Sequence, residues 1–269
     1  MGDLSRLDGK VAVITGAAQG IGEATARLFA ERGVGGLLLT DRQPERLAAV
    51  AASLAAVTSV EAVVADLANP AAVEAIVPAA EAAFGRIDIL ANIAGLTDRG
   101  SIFDTSVELF DRMFAVNVRA PFLLMQGALR VMRRDGIEGV IVNILSINVH
   151  GGAPILSPYS ASKGALATLT KNVANAVLDD RIRVNGINLG WTETPGEHDI
   201  VQRSGQAGPD WLENAAATLP FGRLIQPMEV ARLIAFLASP ESGVMTGALI
   251  DFDQQIVGIN RVAPPPKSP

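Results

Sequence analysis

The sequence predicts an α/β fold, a single-domain Rossmann-type doubly wound parallel sheet of about seven strands with helices on both faces. Three observations predict it. Short apolar runs alternate with longer segments of helical periodicity along nearly the whole chain, which is the pattern of repeated βαβ units. A glycine-rich turn stands between the first strand-like run and the first helix-like one, where such folds bring the backbone close to an anion. Finally, 49% of the 269 residues are hydrophobic but only 4% are aromatic, so the core is built from Ala, Val, Ile and Leu. Those residues suit Ala-rich helices packed on β-branched parallel strands.

The predicted strands are Val11–Thr15, Leu37–Thr40, Val60–Ala65, Ile87–Asn92, Val140–Leu145, Arg183–Leu189 and Ala248–Phe252. Between them the periodicity predicts helices over Ile21–Arg32, Glu45–Leu54, Ala71–Phe84, Val107–Met132, Pro158–Leu178 and Met228–Ala238. The stretch Gly190–Leu219 breaks the rhythm with glycine, proline and charge, and is expected to be mobile, a lid over the crevice. One domain over residues 1–259 is expected, followed by a Pro-rich tail, 260–269, too poor in backbone donors for sheet or helix.

Composition excludes several functions. A net charge of −6 and a pI near 5.0 disfavour a nucleic-acid or anionic-membrane partner. No cysteine means no disulfide and no thiol nucleophile, and His150 and His198 alone make a dedicated metal site unexpected. The N-terminal residues carry no apolar signal core, and no apolar run reaches membrane-spanning length, so a cytoplasmic setting is expected.

The glycine-rich turn reads Thr15-Gly16-Ala17-Ala18-Gln19-Gly20-Ile21-Gly22. With a strand before it and a helix after it, it forms a phosphate loop in which Gly16, Gln19, Gly20, Ile21 and Gly22 approach a pyrophosphate at a helix N-terminus. Asp41 ends the second strand nineteen residues beyond Gly22, the place from which a carboxylate accepts hydrogen bonds from an adenosine ribose and repels a 2′-phosphate. This favours NAD over NADP as cofactor; the adjacent Arg42 offers the opposite charge, for a phosphate or for stacking on adenine.

The only tyrosine, Tyr159, stands four residues before Lys163. In a helix that spacing puts phenol and ammonium on one face. A free phenol titrates near pH ~10, and a neighbouring cation is expected to lower that value towards the range of a working acid/base. The same spacing also describes an ordinary half-buried tyrosine beside a solvated lysine.

Glycine spacing of the form T-G-x-x-x-G-x-G together with Tyr159-x-x-x-Lys163 resembles the short-chain dehydrogenase/reductase family, from roughly Leu7 to Gly258. Further motifs fall in order. Asp66-Leu67 follows the third strand, where the family's aspartate contacts adenine, though Asp66 also suits a helix cap. Asn92-Ile93-Ala94-Gly95 resembles N-N-A-G, Asn117 lies in the long fourth helix, and Ser146 precedes Tyr159 by thirteen residues. Asn188 to Pro195 resembles the segment beside the nicotinamide, which includes Thr192 and Thr194. Three departures stand out: Ile93 for asparagine, Leu189 for a proline that would stiffen its turn, and Asp253-Gln254-Gln255 for a terminal D-G-G.

The resemblance implies hydride transfer with Tyr159 as acid/base, Lys163 lowering its pKa and holding the nicotinamide ribose, and Ser146 orienting the substrate oxygen. It implies that Asn117 holds a water leading to Lys163, and that Asn92, Ala94 and Gly95 lie against the cofactor. Around the substrate it implies Asn148, His150, Gly151, Gly152, Leu156, Trp191, Glu193 and Glu197, with Arg99 and His198 nearby. That polar lining with one flat aromatic suits a sugar or polyol, as secondary alcohol and ketone or as lactol and lactone. The alternatives are an NADPH-dependent 3-oxoacyl-carrier-protein reductase and a catalytically silent dinucleotide-binding regulator. A homotetramer or homodimer through the two long helices is implied as well.

Overall fold

The computed structural model describes residues 2–203, 208 and 210–258; the predicted tail, 260–269, lies outside them. The strands are β1 (Val11–Thr15), β2 (Gly36–Asp41), β3 (Ser59–Val64), β4 (Ile89–Asn92), β5 (Val140–Ile144), β6 (Arg183–Leu189) and β7 (Leu249–Phe252). They form one seven-stranded sheet in the order β3-β2-β1-β4-β5-β6-β7, parallel at every pairing. The chain winds outward from β1 in one direction, then returns to β4 and winds in the other. The crevice between β1 and β4 is therefore the switch point at which ligands bind in such sheets.

Helices α1 (Gly20–Glu31), α2 (Pro44–Leu54) and α3 (Pro70–Phe84) cross between the first strands. Pro44 and Pro70 open α2 and α3, where the missing N–H costs no hydrogen bond and the fixed φ suits the first turn. Asn69, not Asp66, caps α3: its side chain accepts from Ala71 N at 3.0 Å. After β4 come α4 (Val107–Phe114) and α5 (Ala120–Arg134), then α6 (Ser157–Ala176), α7 (Pro195–Arg203), α8 (Trp211–Thr218) and α9 (Pro227–Ala238). One apolar core joins α1, α2 and α9 to one sheet face, and a second joins α3, α5 and α6 to the other, as two-faced winding requires.

One expectation needed correction. The single helix expected over Val107–Met132 is α4 and α5 joined by a π-helical turn, Ala115–Arg119. Pro121 has no N–H to offer the Asn117 carbonyl four residues back, so regular α-helical bonding cannot continue through Asn117. The described part of the stretch 190–219 holds α7 and α8, and its start is tied to the segment before α9 by backbone bonds. Ile225 N donates to the Trp191 carbonyl at 3.0 Å, and Glu193 N donates to the Ile225 carbonyl at 2.9 Å. These bonds hold the turn in which Leu189 replaces proline.

Candidate active site

A cleft of about 1270 Å³ opens over the carboxyl ends of β1, β2, β4, β5 and β6. Its nucleotide end is formed by backbone. Gly16 and Gly20 take φ of +69° and +58°, and a Cβ on Gly16 would sit 3.0 Å from Ala94 Cα. A Cβ on Gly22 would collide with the Gly16 carbonyl oxygen. This tight loop, opening into the N-terminus of α1, is a cradle that side chains would fill, and it fits a pyrophosphate. Thr15 braces it from below: its Oγ1 accepts from Ile93 N at 2.9 Å and Ala94 N at 3.0 Å, clamping β1 to the turn after β4.

Asp41 lies where its spacing placed it, at the end of β2 on the cleft wall, and also supports the loop. Its Oδ2 accepts from Ala18 N at 3.2 Å and its Oδ1 from Gln43 N at 3.0 Å. Arg42, Asp66 and Leu67 line the same end. Asp66 Oδ1 accepts from Ala68 N at 2.9 Å, which with the Arg112 guanidinium 3.1 Å from Oδ2 holds its carboxyl below the usual range despite the opposing cost of burial. Arg112 and Arg46, which donates to Gln19 Oε1, are additions that no motif pointed to. Asn92 turns away from the cleft: its Nδ2 donates to Asn143 Oδ1 at 2.8 Å inside the core, while Ala94 and Gly95 line the wall.

The four expected catalytic residues converge. Tyr159 and Lys163 share one face of α6, with Nζ 5.9 Å from the phenol ring centroid. Lys163 Nζ donates to the Ile144 carbonyl at 2.7 Å. Ser146, just past β5, lines the cleft with them. Asn117 is fully buried at the π-helical turn; its Oδ1 accepts from Leu96 N at 2.8 Å, and its Nδ2 donates to the Leu96 carbonyl at 2.9 Å and to Ser162 Oγ at 3.0 Å. Ser162 Oγ in turn donates to the Tyr159 carbonyl at 2.7 Å. Asn117 thus ties the loop after β4 to the helix that carries the phenol.

Electrostatics correct one expectation. Burial pushes the Tyr159 phenol up to about 12, partly offset by the facing Ser146 hydroxyl, so in the protein alone the phenol lies above its free value and not below it. Burial also pushes Lys163 down to about 8. Among the protein's own groups, then, the phenol holds its proton at neutral pH.

At the substrate end, Asn148, Leu156, Trp191, Glu197 and Arg99 line the cleft, and Thr192 and Thr194 stand between them and the glycine loop. Thr194 packs on the loop, 3.3 Å from where a Gly20 Cβ would lie. His150 lies off the cleft wall, with Nε2 3.2 Å from Asp251 Oδ1 on β7. Gly151, Gly152, Glu193 and His198 are likewise not on that wall. His198 accepts at Nδ1 from Trp211 Nε1 at 3.0 Å, and Trp211 stacks obliquely on Trp191 at 6.2 Å. Trp211 and Gln255 do line the cleft; sequence patterning missed Trp211, while Gln255 belongs to the departure from D-G-G. Gln254 holds the loop before α9, accepting from Phe221 N at 3.0 Å and donating to the Arg223 carbonyl at 2.7 Å. Among the described residues no three metal-ligating side chains cluster, and no helix is long and apolar enough to cross a membrane.

Residues 16–254 match a family model described as enoyl-(acyl carrier protein) reductase. An uncharacterized oxidoreductase of Thermotoga maritima is 39% identical over 246 residues, 91% of this chain and 96% of that protein. The 3-oxoacyl-[acyl-carrier-protein] reductase FabG of the same organism is 33% identical over 253 residues, covering 94% and 99%. The crystal structure of L-sorbose reductase from Gluconobacter frateurii, complexed with NADPH and L-sorbose, superposes with a TM-score of 0.88 at 32% identity, covering 96% of this chain and 100% of that one. With the glycine cradle and the Tyr159–Lys163 helix at one cleft, these matches show that the chain belongs to the short-chain dehydrogenase/reductase family, NAD(P)-dependent oxidoreductases acting on CH–OH groups.

Proposed function

We propose that the protein interconverts a secondary alcohol and its ketone on a sugar or polyol, using NAD. The observation that carries this reading is the buried Tyr159 phenol, backed by Ser146 and Lys163, on the wall of a cleft continuous with the glycine cradle. In the cradle, Gly16, Gln19, Gly20, Ile21 and Gly22 would hold the pyrophosphate. Asp41 and Arg42 would meet the adenosine ribose, Asp66 and Leu67 the adenine, and Ala94, Gly95, Thr192, Thr194, Tyr159 and Lys163 the nicotinamide half. The nicotinamide ring supplies the hydride acceptor or donor.

Tyr159 handles the proton. Its phenol, protonated at neutral pH, donates to the substrate oxygen during ketone reduction; in oxidation it must first give up that proton, and the phenolate then takes the hydroxyl proton. Ser146 donates to the same oxygen and stabilises charge that develops there. Lys163, held by the Ile144 carbonyl, lies close enough to stabilise the phenolate, and Asn117 fixes the helix and leads protons from Lys163 towards solvent. Because the phenol begins high, alcohol oxidation gains with rising pH more than ketone reduction does.

The polar substrate end, with Asn148, Arg99, Glu197 and Trp191, supports a hydroxyl-rich substrate, as does likeness to a sorbose reductase. Asp41 supports NAD, since a 2′-phosphate would meet its carboxylate. Exposed apolar side chains on and before α4 and α5, including Phe103, Val107, Phe110 and Phe122, support a homotetramer or homodimer, and we place it in the cytoplasm. The deciding experiment is a panel of sugars, polyols, hydroxy acids and 3-oxoacyl thioesters with NAD(H) and NADP(H), read at the reduced nicotinamide absorbance. Polyol oxidation with NAD is expected. Activity confined to acyl thioesters with NADPH would replace it with the carrier-protein reading, which the likeness to FabG favours.

A further inference from the structure

One carboxylate joins two walls of the substrate end. Arg99, in the segment after β4, donates from Nη2 to Glu197 Oε1 on α7 at 2.7 Å, and Trp191 Nε1 donates to the same oxygen at 3.0 Å. Arg99 is fixed further by Nη1 to the Thr97 carbonyl at 3.1 Å, and Glu197 by its N–H to Thr194 Oγ1 at 3.1 Å. The ion pair is shielded, its side chains 20% and 13% exposed. Glu197 Oε2 accepts no hydrogen bond from the described residues, although Glu197 lines the cleft. A shielded carboxylate oxygen left half-used is an acceptor waiting for a hydroxyl.

Charge at this end points the same way. Among the described residues lining it, the guanidiniums of Arg99 and Arg203 face the carboxylates of Asp98, Glu197 and Asp199. Arg99 pairs with Glu197, and Arg203 lies 3.9 Å from Asp98, so neither guanidinium is left over for an anionic substrate; Lys163, beside the phenol, is held by the Ile144 carbonyl. A second carboxylate or a phosphate brought here would be desolvated against like charge.

We infer that Glu197, aimed by Arg99 and Trp191, determines specificity by accepting a hydroxyl hydrogen from a neutral polyhydroxylated substrate and repelling anionic ones. The inference rests on the proposed reading of the cleft as a polyol site and names the group that selects the substrate. Glu197 also acts on the phenol. The groups facing Tyr159 are Ser146 and Lys163 from the cleft floor and its own helix, and Glu197 and Arg99 from the two walls. The Glu197 charge pushes the phenol up and the Arg99 charge pulls it down, and all three residues line the same cleft.

Glu197→Gln keeps the shape and removes the charge. In the full chain, its preference in kcat/KM for a neutral polyol over the matching sugar acid is expected to fall roughly tenfold or more, mainly through KM, with Glu197→Asp restoring part of it. Calorimetric binding of the same two ligands with NADH present reads the preference without turnover. Tyr159 is the only tyrosine, so its phenolate absorbance reports one group. Its titration is expected at lower pH in Glu197→Gln and higher pH in Arg99→Met than in the unaltered protein. A preference unchanged by Glu197→Gln overturns the inference, as does a titration that stays put in both variants. Failure of every polyol to react or bind, with the titration shifting as expected, would instead refute the polyol reading and leave Glu197 as a group that tunes the phenol alone.

Discussion

The two ends of the cleft are built from different materials. The nucleotide end is backbone: glycines at positive φ, the N-terminus of α1, and a loop clamped by Thr15 and Asp41. The substrate end is side chains from segments far apart in sequence, with Arg99 after β4, Trp191 after β6, Glu197 on α7, Trp211 on α8 and Gln255 after β7. A backbone cradle accepts one chemical group, a pyrophosphate, in a fixed pose. A side-chain cage is re-cut by any single substitution. The difference explains how one fold keeps its cofactor while its substrate varies.

Apart from loss of the phenol itself, the largest expected effect falls where the two ends meet. Ser146→Ala removes the second donor to the substrate oxygen, and kcat should drop by roughly 10²–10³. Dinucleotide affinity, followed by NADH fluorescence, should be unchanged; a parallel loss of affinity would mean that Ser146 serves the cradle rather than the chemistry. Gly22→Val attacks the cradle alone. Overpacking costs about 1–3 kcal/mol, so NADH affinity should weaken roughly ten- to a hundredfold. Equal affinity would show that the loop is not the binding element.

Asp41→Asn sharpens the contrast by changing charge without changing shape. It retains an acceptor for Gln43 N while removing the carboxylate that opposes a 2′-phosphate, so the kcat/KM ratio of NADP to NAD should rise roughly tenfold. A ratio that stays constant assigns cofactor choice to Arg42 and its neighbours instead. The smallest effect is on stability. Lys163 titrates at about 8 in the folded protein against 10.5 for the free side chain, so the unfolded chain binds the extra proton between those values. Stability should therefore rise with pH from about 8 towards 10.5, and Lys163→Met should lack that rise. Tyr159 works in the opposite sense above pH 10, because its folded value of about 12 lies above the free value of 10.0. Thermal melts at pH 7.5 and 9, where only Lys163 acts, and at about pH 11, where Tyr159 acts, separate the two.

The same division decides what could be read from the sequence. Strand–helix alternation gave all seven strands within two residues at either end. The five inner strands are buried on both faces and read as continuous apolar runs, while the edge strands β3 and β7 are partly exposed and were marked by their place in the alternation. Tyr159 and Lys163 were legible through their spacing within one helix, and Ser146 and Asn117 through the resemblance to the family. The π-helical turn was not, since hydrophobic periodicity runs across Val107–Met132 unbroken and only Pro121 hints at the change in bonding. Asn92 was misplaced because strand alternation alone does not say which face reaches the cofactor; here its side chain meets Asn143. Raised burial at Tyr159 was also out of reach, since desolvation depends on packing that adjacent residues do not reveal. The Trp191–Trp211 pair and the Glu197 bridge join residues from separate segments, with no spacing rule to announce them.

The central claim is that the Tyr159 phenol moves the proton in a cleft whose nucleotide end binds independently. Single-turnover kinetics and NADH binding of Tyr159→Phe test it together. The account predicts native NADH affinity with turnover reduced by about 10²–10⁴ or more, the range of a lost general acid. Turnover near that of the unaltered protein, with NADH bound as tightly, would contradict it.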